Sequence, residues 1–257
     1  MQKIELNYNH SDQVAEIILK DGKANILDRI MMDELHTLFE EFKGKQKLKL
    51  ITFEGSGDHF SFGASVVEHK KENAAAMLKN FHKLFYSLID LSIPTLAKIS
   101  GQCLGGGLEL ALICNFMFAD KSARLGQPEI ILGVFPPPAS LILPQKIGNA
   151  HAEEILITGK PINAEKGKEI GLINDVFEDK KTMHIEVEKW VADNILPKSA
   201  SSLKYAVKAS RKMFNHFIKM KLGDLEQMYV EELMETNDAN EGINSFLEKR
   251  KPEWKNC

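Results

Sequence analysis

"CLGGGLELAL", residues 103–112, sets three consecutive glycines directly ahead of a glutamate and an otherwise apolar run. Gly105, Gly106 and Gly107 admit positive φ and let a ligand or a second strand come close to the backbone. The residues that follow, "LELALICNFMFAD" (108–120), read as a buried helix whose first turn carries N–H groups without helical partners. Such groups donate to an anion or to an oxygen that gains negative charge. This is no phosphate-binding P-loop, since GxxxxGK[ST] is absent and no GxGxxG follows a strand.

Glu109 stands at the start of that helix between Leu108 and Leu110. An acid in such surroundings costs desolvation unless it is paired, hydrogen-bonded or neutral. On these residues alone two readings stay open: an acid that answers the helix dipole, and a catalytic acid or base.

Upstream, "VAEIIL" (14–19) is strand-like and Asp21-Gly22 supplies a turn. Residues 26–42 carry helical periodicity, with Asp28 placed to cap them. "LKLITFEGSG" reads as strand and sharp turn, 73–92 as a helix that stops before Pro94, and "TLAKISG" as a third strand. This alternation predicts an α/β fold with parallel strands and right-handed crossovers. Ligands in open α/β folds sit at the carboxyl ends of strands, where Gly55, Gly57, Gly63, Gly101 and Gly105–Gly107 fall. Beyond residue 145 the segments are mostly helical. The predicted division is a core over 1–195 and a helical region over 196–257.

Two further segments bear on chemistry. "ARLGQPEIILGVFPPP" (123–138) delivers Glu129 after a proline and before an apolar run. Glu109 and Glu129 form a general acid–base pair if the fold unites them, and their spacing does not require it to. In "GDHFSFGASVVEH" (57–69), backbone N–H groups around Gly63 are placed to join those of the glycine run in a two-donor hole. Asp58, His59, Glu68 and His69 read as surface loop residues, and His82 as a packing or capping residue.

Net charge is -3 with 44% hydrophobic and 27% charged residues, which argues for a globular chain with no nucleic-acid footprint. Three cysteines make no disulfide scaffold, and none of the eight histidines falls at metal-ligand spacing. No metal site is expected. Without a signal-peptide core or a membrane-length apolar run, the chain reads as soluble and cytoplasmic.

At these residues the chain resembles the enoyl-CoA hydratase/isomerase family, the crotonases. "HFSFGAS", "GQCLGGGLELALICNFMFAD" and "ARLGQPEIILGVFP" match three family blocks in order, and "EGINSFLEKRKPEW" resembles the C-terminal helix. The resemblance implies a spiral of ββα units, with residues 196–257 as a helical trimerisation and substrate-covering region in a homotrimer or homohexamer. It implies a coenzyme A thioester as substrate and no separate cofactor. Its carbonyl oxygen would be held by the N–H groups of Phe62 and Gly106. Glu109 would deprotonate water, and Glu129 would hold that water and deliver a proton to carbon. Lys23, Ala24 and Ala64 match the stretch along the adenine and pantetheine, while Phe246 and Lys249 match positions that reach toward the nucleotide.

Two departures bear on the acyl group. Ser65 stands where many family members have an aspartate, and Pro136–Pro138 replace small residues after the second acid. Three prolines make a stiff rim, which holds a rigid ring with little entropy lost. The stretch resembles the family's hydratases of cyclic dienoyl-CoA thioesters. The expected reaction is therefore hydration of cyclohexa-1,5-diene-1-carbonyl-CoA to 6-hydroxycyclohex-1-ene-1-carbonyl-CoA. A general short-chain enoyl-CoA hydratase or isomerase is the alternative.

Overall fold

Nine strands in the computed structural model, which describes residues 1–257, form two sheets. The larger has the order β1 (Ile4–Asn9), β2 (Val14–Leu19), β3 (Leu50–Gly55), β4 (Thr95–Ile99), β6 (Phe116–Asp120), β9 (Asp175–Phe177). The smaller has the order β5 (Gln102–Leu104), β7 (Arg124–Gly126), β8 (Ile162–Asn163). β1 and β2 pair antiparallel, whereas every later step in the large sheet is parallel. Parallel neighbours need crossovers, and α1 (Arg29–Phe42), α2 (Lys71–Leu91) and α3 (Gly106–Leu112) lie in the first three of the four in turn.

Local chemistry accounts for the helix ends. Asp28 caps α1 by accepting a 3.1 Å bond from the Met31 N–H. α2 ends at Ser92, whose left-handed conformation (φ 52°) turns the chain into Ile93-Pro94. All six residues of β3 are buried, as a strand covered on both faces requires.

One expectation is corrected. The predicted helix over 108–120 ends at Leu112, and Phe116–Asp120 is strand β6, inside the large sheet between β4 and β9. A continuous apolar run does not distinguish a buried helix from a buried parallel strand. Phe116 and Phe118 favour the strand.

The chain continues through α4 (Pro137–Thr158) and α5 (Ala164–Glu169), then into a helical C-terminal region. That region comprises α6 (Lys180–Asn194), α7 (Ala200–Ser210), α8 (Lys212–Gln227) and α9 (Asn237–Leu247). The architecture is the expected one, a crotonase-like mixed sheet core carrying a C-terminal helical bundle. Ile218, Leu222, Met234 and Ile243 from this bundle join the same apolar core as Phe39, Phe53 and Phe85. No helix is long and apolar enough to cross a membrane.

Candidate active site

The glycine run works by lacking three Cβ atoms. Gly105 has φ +50°, and a Cβ there would lie 2.6 Å from Glu129 Oε1. On Gly107 it would meet the Ser61 Cβ at 2.7 Å and the Ser61 carbonyl at 2.9 Å. On Gly106 it would approach the Ala64 nitrogen at 3.2 Å. The run therefore lets the 61–64 loop and Glu129 close onto the start of α3. That brings all three blocks of the sequence to one place.

They surround an apolar cavity of about 570 Å³. Glu109 and Glu129 both reach it, together with Gly63, Ala64, Gly105 and Gly106. Phe135, Pro136 and Pro137 form part of its wall. Glu109 is buried, with 4% of its surface exposed. Its Oε1 accepts a 2.9 Å hydrogen bond from the Ala139 N–H. Pro136 precedes α4, and Pro137 and Pro138 occupy its first turn, where proline's missing N–H costs nothing. Ala139 is thus the first residue of α4 with a donor to offer.

Glu129 lies in a 3₁₀ turn, Pro128–Leu132, that follows β7. The buried Gln127 amide, oriented by the bonds it makes, donates from Nε2 to both Glu129 oxygens at 3.0 and 3.2 Å. Burial pushes the Glu109 carboxyl well above the ordinary carboxylate range, and the charge on Glu129 adds to this against the opposing Ala139 N–H. Burial likewise raises Glu129, with its own backbone N–H pulling the other way. Two acids in one low-dielectric cavity favour states that retain a proton on one of them.

The enoyl-CoA hydratase/isomerase family model matches residues 9–257 of this sequence. The chain belongs to the enoyl-CoA hydratase/isomerase family. Cyclohexa-1,5-dienecarbonyl-CoA hydratase of Thauera aromatica is 44% identical over 234 residues, 91% of this chain and 90% of that one. A probable enoyl-CoA hydratase of Bacillus subtilis strain 168 is 32% identical over 249 residues, 94% of this chain and 95% of the relative. Among solved structures, an enoyl-CoA hydratase from Mycobacterium avium subsp. paratuberculosis superposes with a TM-score of 0.86 at 19% identity. That match covers 99% of each chain and speaks to the fold alone. The protein is an acyl-CoA hydro-lyase of this family.

Most residues singled out in the sequence meet at the crotonase cavity. Ala24, Phe62, Ala64, Gly106, Glu109, Glu129 and Phe246 all line it. Lys23 and Lys249 are exposed and stand outside it. One assignment changes. The Phe62 N–H already donates to the Ala24 carbonyl at 2.9 Å, so it is not free for a thioester oxygen. The Ala64 N–H, two residues on, has no backbone acceptor and lies beside Gly106. Gly63, with φ +109°, makes the turn that separates them.

Three residues join the site that the sequence reading did not place there. Gln127 holds Glu129, and Tyr229 enters from a π-helical turn far along the chain. His69 lines the cavity instead of a surface loop, its Nδ1 within 2.8 Å of the Ser65 carbonyl. The Gln-Pro-Glu adjacency was a signal for the first. Nothing local signals the other two, because their placement depends on tertiary packing.

Proposed function

We propose that this hydratase adds water to cyclohexa-1,5-diene-1-carbonyl-CoA and forms 6-hydroxycyclohex-1-ene-1-carbonyl-CoA. The observation that carries the reading is the convergence on one apolar cavity of two carboxyls with raised pKa and a pair of N–H groups at Ala64 and Gly106. The cyclic acyl group is supported by the named activity of the Thauera relative and by the Phe135–Pro136–Pro137 wall.

In this reading the thioester oxygen accepts from the Ala64 and Gly106 N–H groups. Fixed donors favour the enolate-like state over the ground state because charge on that oxygen grows during addition. Ionised Glu109 removes a proton from water as the water oxygen bonds to the β-carbon. Electron density moves through the ring onto the thioester oxygen. Protonated Glu129 then delivers its proton to the far conjugated carbon, and the carbonyl reforms. Proton exchange with solvent returns the pair to its starting state.

Coenzyme A belongs to the substrate, and the chemistry asks for no further cofactor. Ala24 and Phe246 flank its pantetheine and acyl portions, while exposed Lys23 and Lys249 supply cations for the phosphates. Exposed apolar side chains on α7 and α8, among them Tyr205, Met213, Phe217 and Met220, support a homotrimer or homohexamer.

Side-by-side turnover of cyclohexa-1,5-diene-1-carbonyl-CoA and crotonyl-CoA tests the assignment, with products resolved by mass and retention. A much larger kcat/KM for the ring is the expected result. Preference for crotonyl-CoA would make the chain a general short-chain enoyl-CoA hydratase.

A further inference from the structure

We propose that the Tyr229 hydroxyl is a third polar group of the acid–base site. It donates a hydrogen bond to the oxygen atom that is water before addition and the product hydroxyl after it. The proposal rests on the hydratase reading above, but not on which acyl group is hydrated.

Three observations meet at this residue. Tyr229 is only 1% exposed, and its hydroxyl has no hydrogen-bond partner in the chain. A buried hydroxyl left unpaired is costly, and its partner is often a water or ligand group. Tyr229 also lines the cavity that holds Glu109 and Glu129. Finally, it is the one buried residue of a π-helical turn, Met228–Glu232, that interrupts the helices between α8 and α9. Such turns displace a side chain from the regular helical period and recur at functional sites.

The ring is held in place. It packs on Phe135 with centroids 5.4 Å apart and planes at 63°, directly beside the proline wall. Burial and the two carboxyls together keep the phenol protonated through the working pH range, so it acts as a donor.

The geometry of water makes the role specific. A water between the carboxyls directs one O–H to Glu109 and the other to Glu129. One lone pair then accepts from Tyr229, and the remaining lone pair faces the β-carbon. During addition the Glu109-facing proton transfers to that carboxylate and the oxygen–carbon bond forms. The phenol keeps its proton throughout. In the reverse direction it grips the departing hydroxyl.

Y229F retains the ring and its packing and removes only the donor. The measurement is kcat and KM for hydration, with exchange of ¹⁸O from labelled water into 3-hydroxybutyryl-CoA and 6-hydroxycyclohex-1-ene-1-carbonyl-CoA. Removing one positioned donor is expected to lower kcat and the exchange rate together by about 10- to 100-fold, with KM and Tm little changed. Unchanged exchange in Y229F beside active wild type overturns the role of Tyr229 and leaves the hydratase reading standing. So does a loss that appears only in KM or Tm, which would mark Tyr229 as a packing residue. A wild-type protein that exchanges oxygen into neither hydroxyacyl thioester sinks the hydratase reading, and the Tyr229 assignment with it.

Discussion

The Glu109 carboxyl and the Ala139 N–H are joined by a 2.9 Å hydrogen bond across 30 residues of sequence. The bond ties the first turn of α3 to the first turn of α4. It makes the proline run part of the immediate surroundings of Glu109 as well as a wall. Pro137 and Pro138 withhold their donors, so α4 presents its N-terminal end to Glu109 through Ala139. The bond favours the ionised carboxyl while burial opposes it. Burial outweighs the bond, and the Glu109 carboxyl stays above the ordinary carboxylate range.

Glu109→Gln and Glu129→Gln are each expected to lower kcat by about 100- to 10,000-fold, the usual range for loss of a general acid or base. Binding of a saturated acyl-CoA should change little, because the cavity wall and the two N–H groups remain. Steady-state kinetics with a calorimetric binding measurement separates the two effects. Near wild-type kcat in either variant removes that residue from the mechanism.

The same carboxyl should cost the fold stability. A raised folded-state pKa means that the native chain holds a proton the unfolded chain has released. Stability is therefore full below the unfolded carboxylate pKa and declines as pH rises toward the folded value. Glu109→Gln removes this dependence while keeping an oxygen for Ala139. The variant is expected to melt above wild type at pH 8, with the gap closing as pH falls to about 4, near the unfolded pKa. A gap that widens on acidification would contradict the assigned direction.

The three chemical blocks were legible in sequence because each couples backbone freedom to a polar residue. Glycines 105–107, Gly63 and the Pro-Glu step mark where chain segments meet, and the structure brings them together. Asp28 was legible as a cap for a related reason, since its bond to Met31 is local. The expectation of a helix over Phe116–Asp120 fails because a strand buried along nearly its whole length carries no period-2 signal. The expectation of a free Phe62 donor fails for a tertiary reason. Only the fold reveals that its N–H is engaged by Ala24 and that the turn at Gly63 leaves Ala64 free. Tyr229 depends on a π-helical turn, which the residue pattern does not encode.

Gly105→Ala should harm chemistry more than folding. The position has φ +50°, which costs an L-residue about 1–2 kcal/mol. The added methyl would also sit 2.6 Å from Glu129 Oε1, so the carboxyl must swing away from Gln127. A Tm drop of several degrees is expected, with a loss of kcat of about 100-fold or more from the displaced acid. Thermal melts and kinetics on one preparation check this. A kcat within twofold of wild type would show that Glu129 tolerates the displacement and has no fixed position in the reaction.

The proline wall yields the prediction that separates acyl groups. Pro136 and Pro137 line the cavity, and their fixed φ values hold the wall in one shape before substrate arrives. A flexible crotonyl chain gains little from that rigidity, whereas a planar ring fits one orientation and benefits from a preformed surface. Replacing both with alanine frees the backbone, and each change costs about 0.4–1 kcal/mol through the entropy of the unfolded chain. Position 137 is also the first residue of α4, where a restored N–H adds a polar group to an apolar wall. The double variant is expected to lose about tenfold in kcat/KM for cyclohexa-1,5-diene-1-carbonyl-CoA, a change of about 1.4 kcal/mol in transition-state binding. The value for crotonyl-CoA should move by less than about twofold, because a mobile chain does not depend on a preformed wall. The ratio of the two values is the measurement. Equal losses for both substrates would assign the prolines to stability alone, and the rim would then have no part in choosing the acyl group.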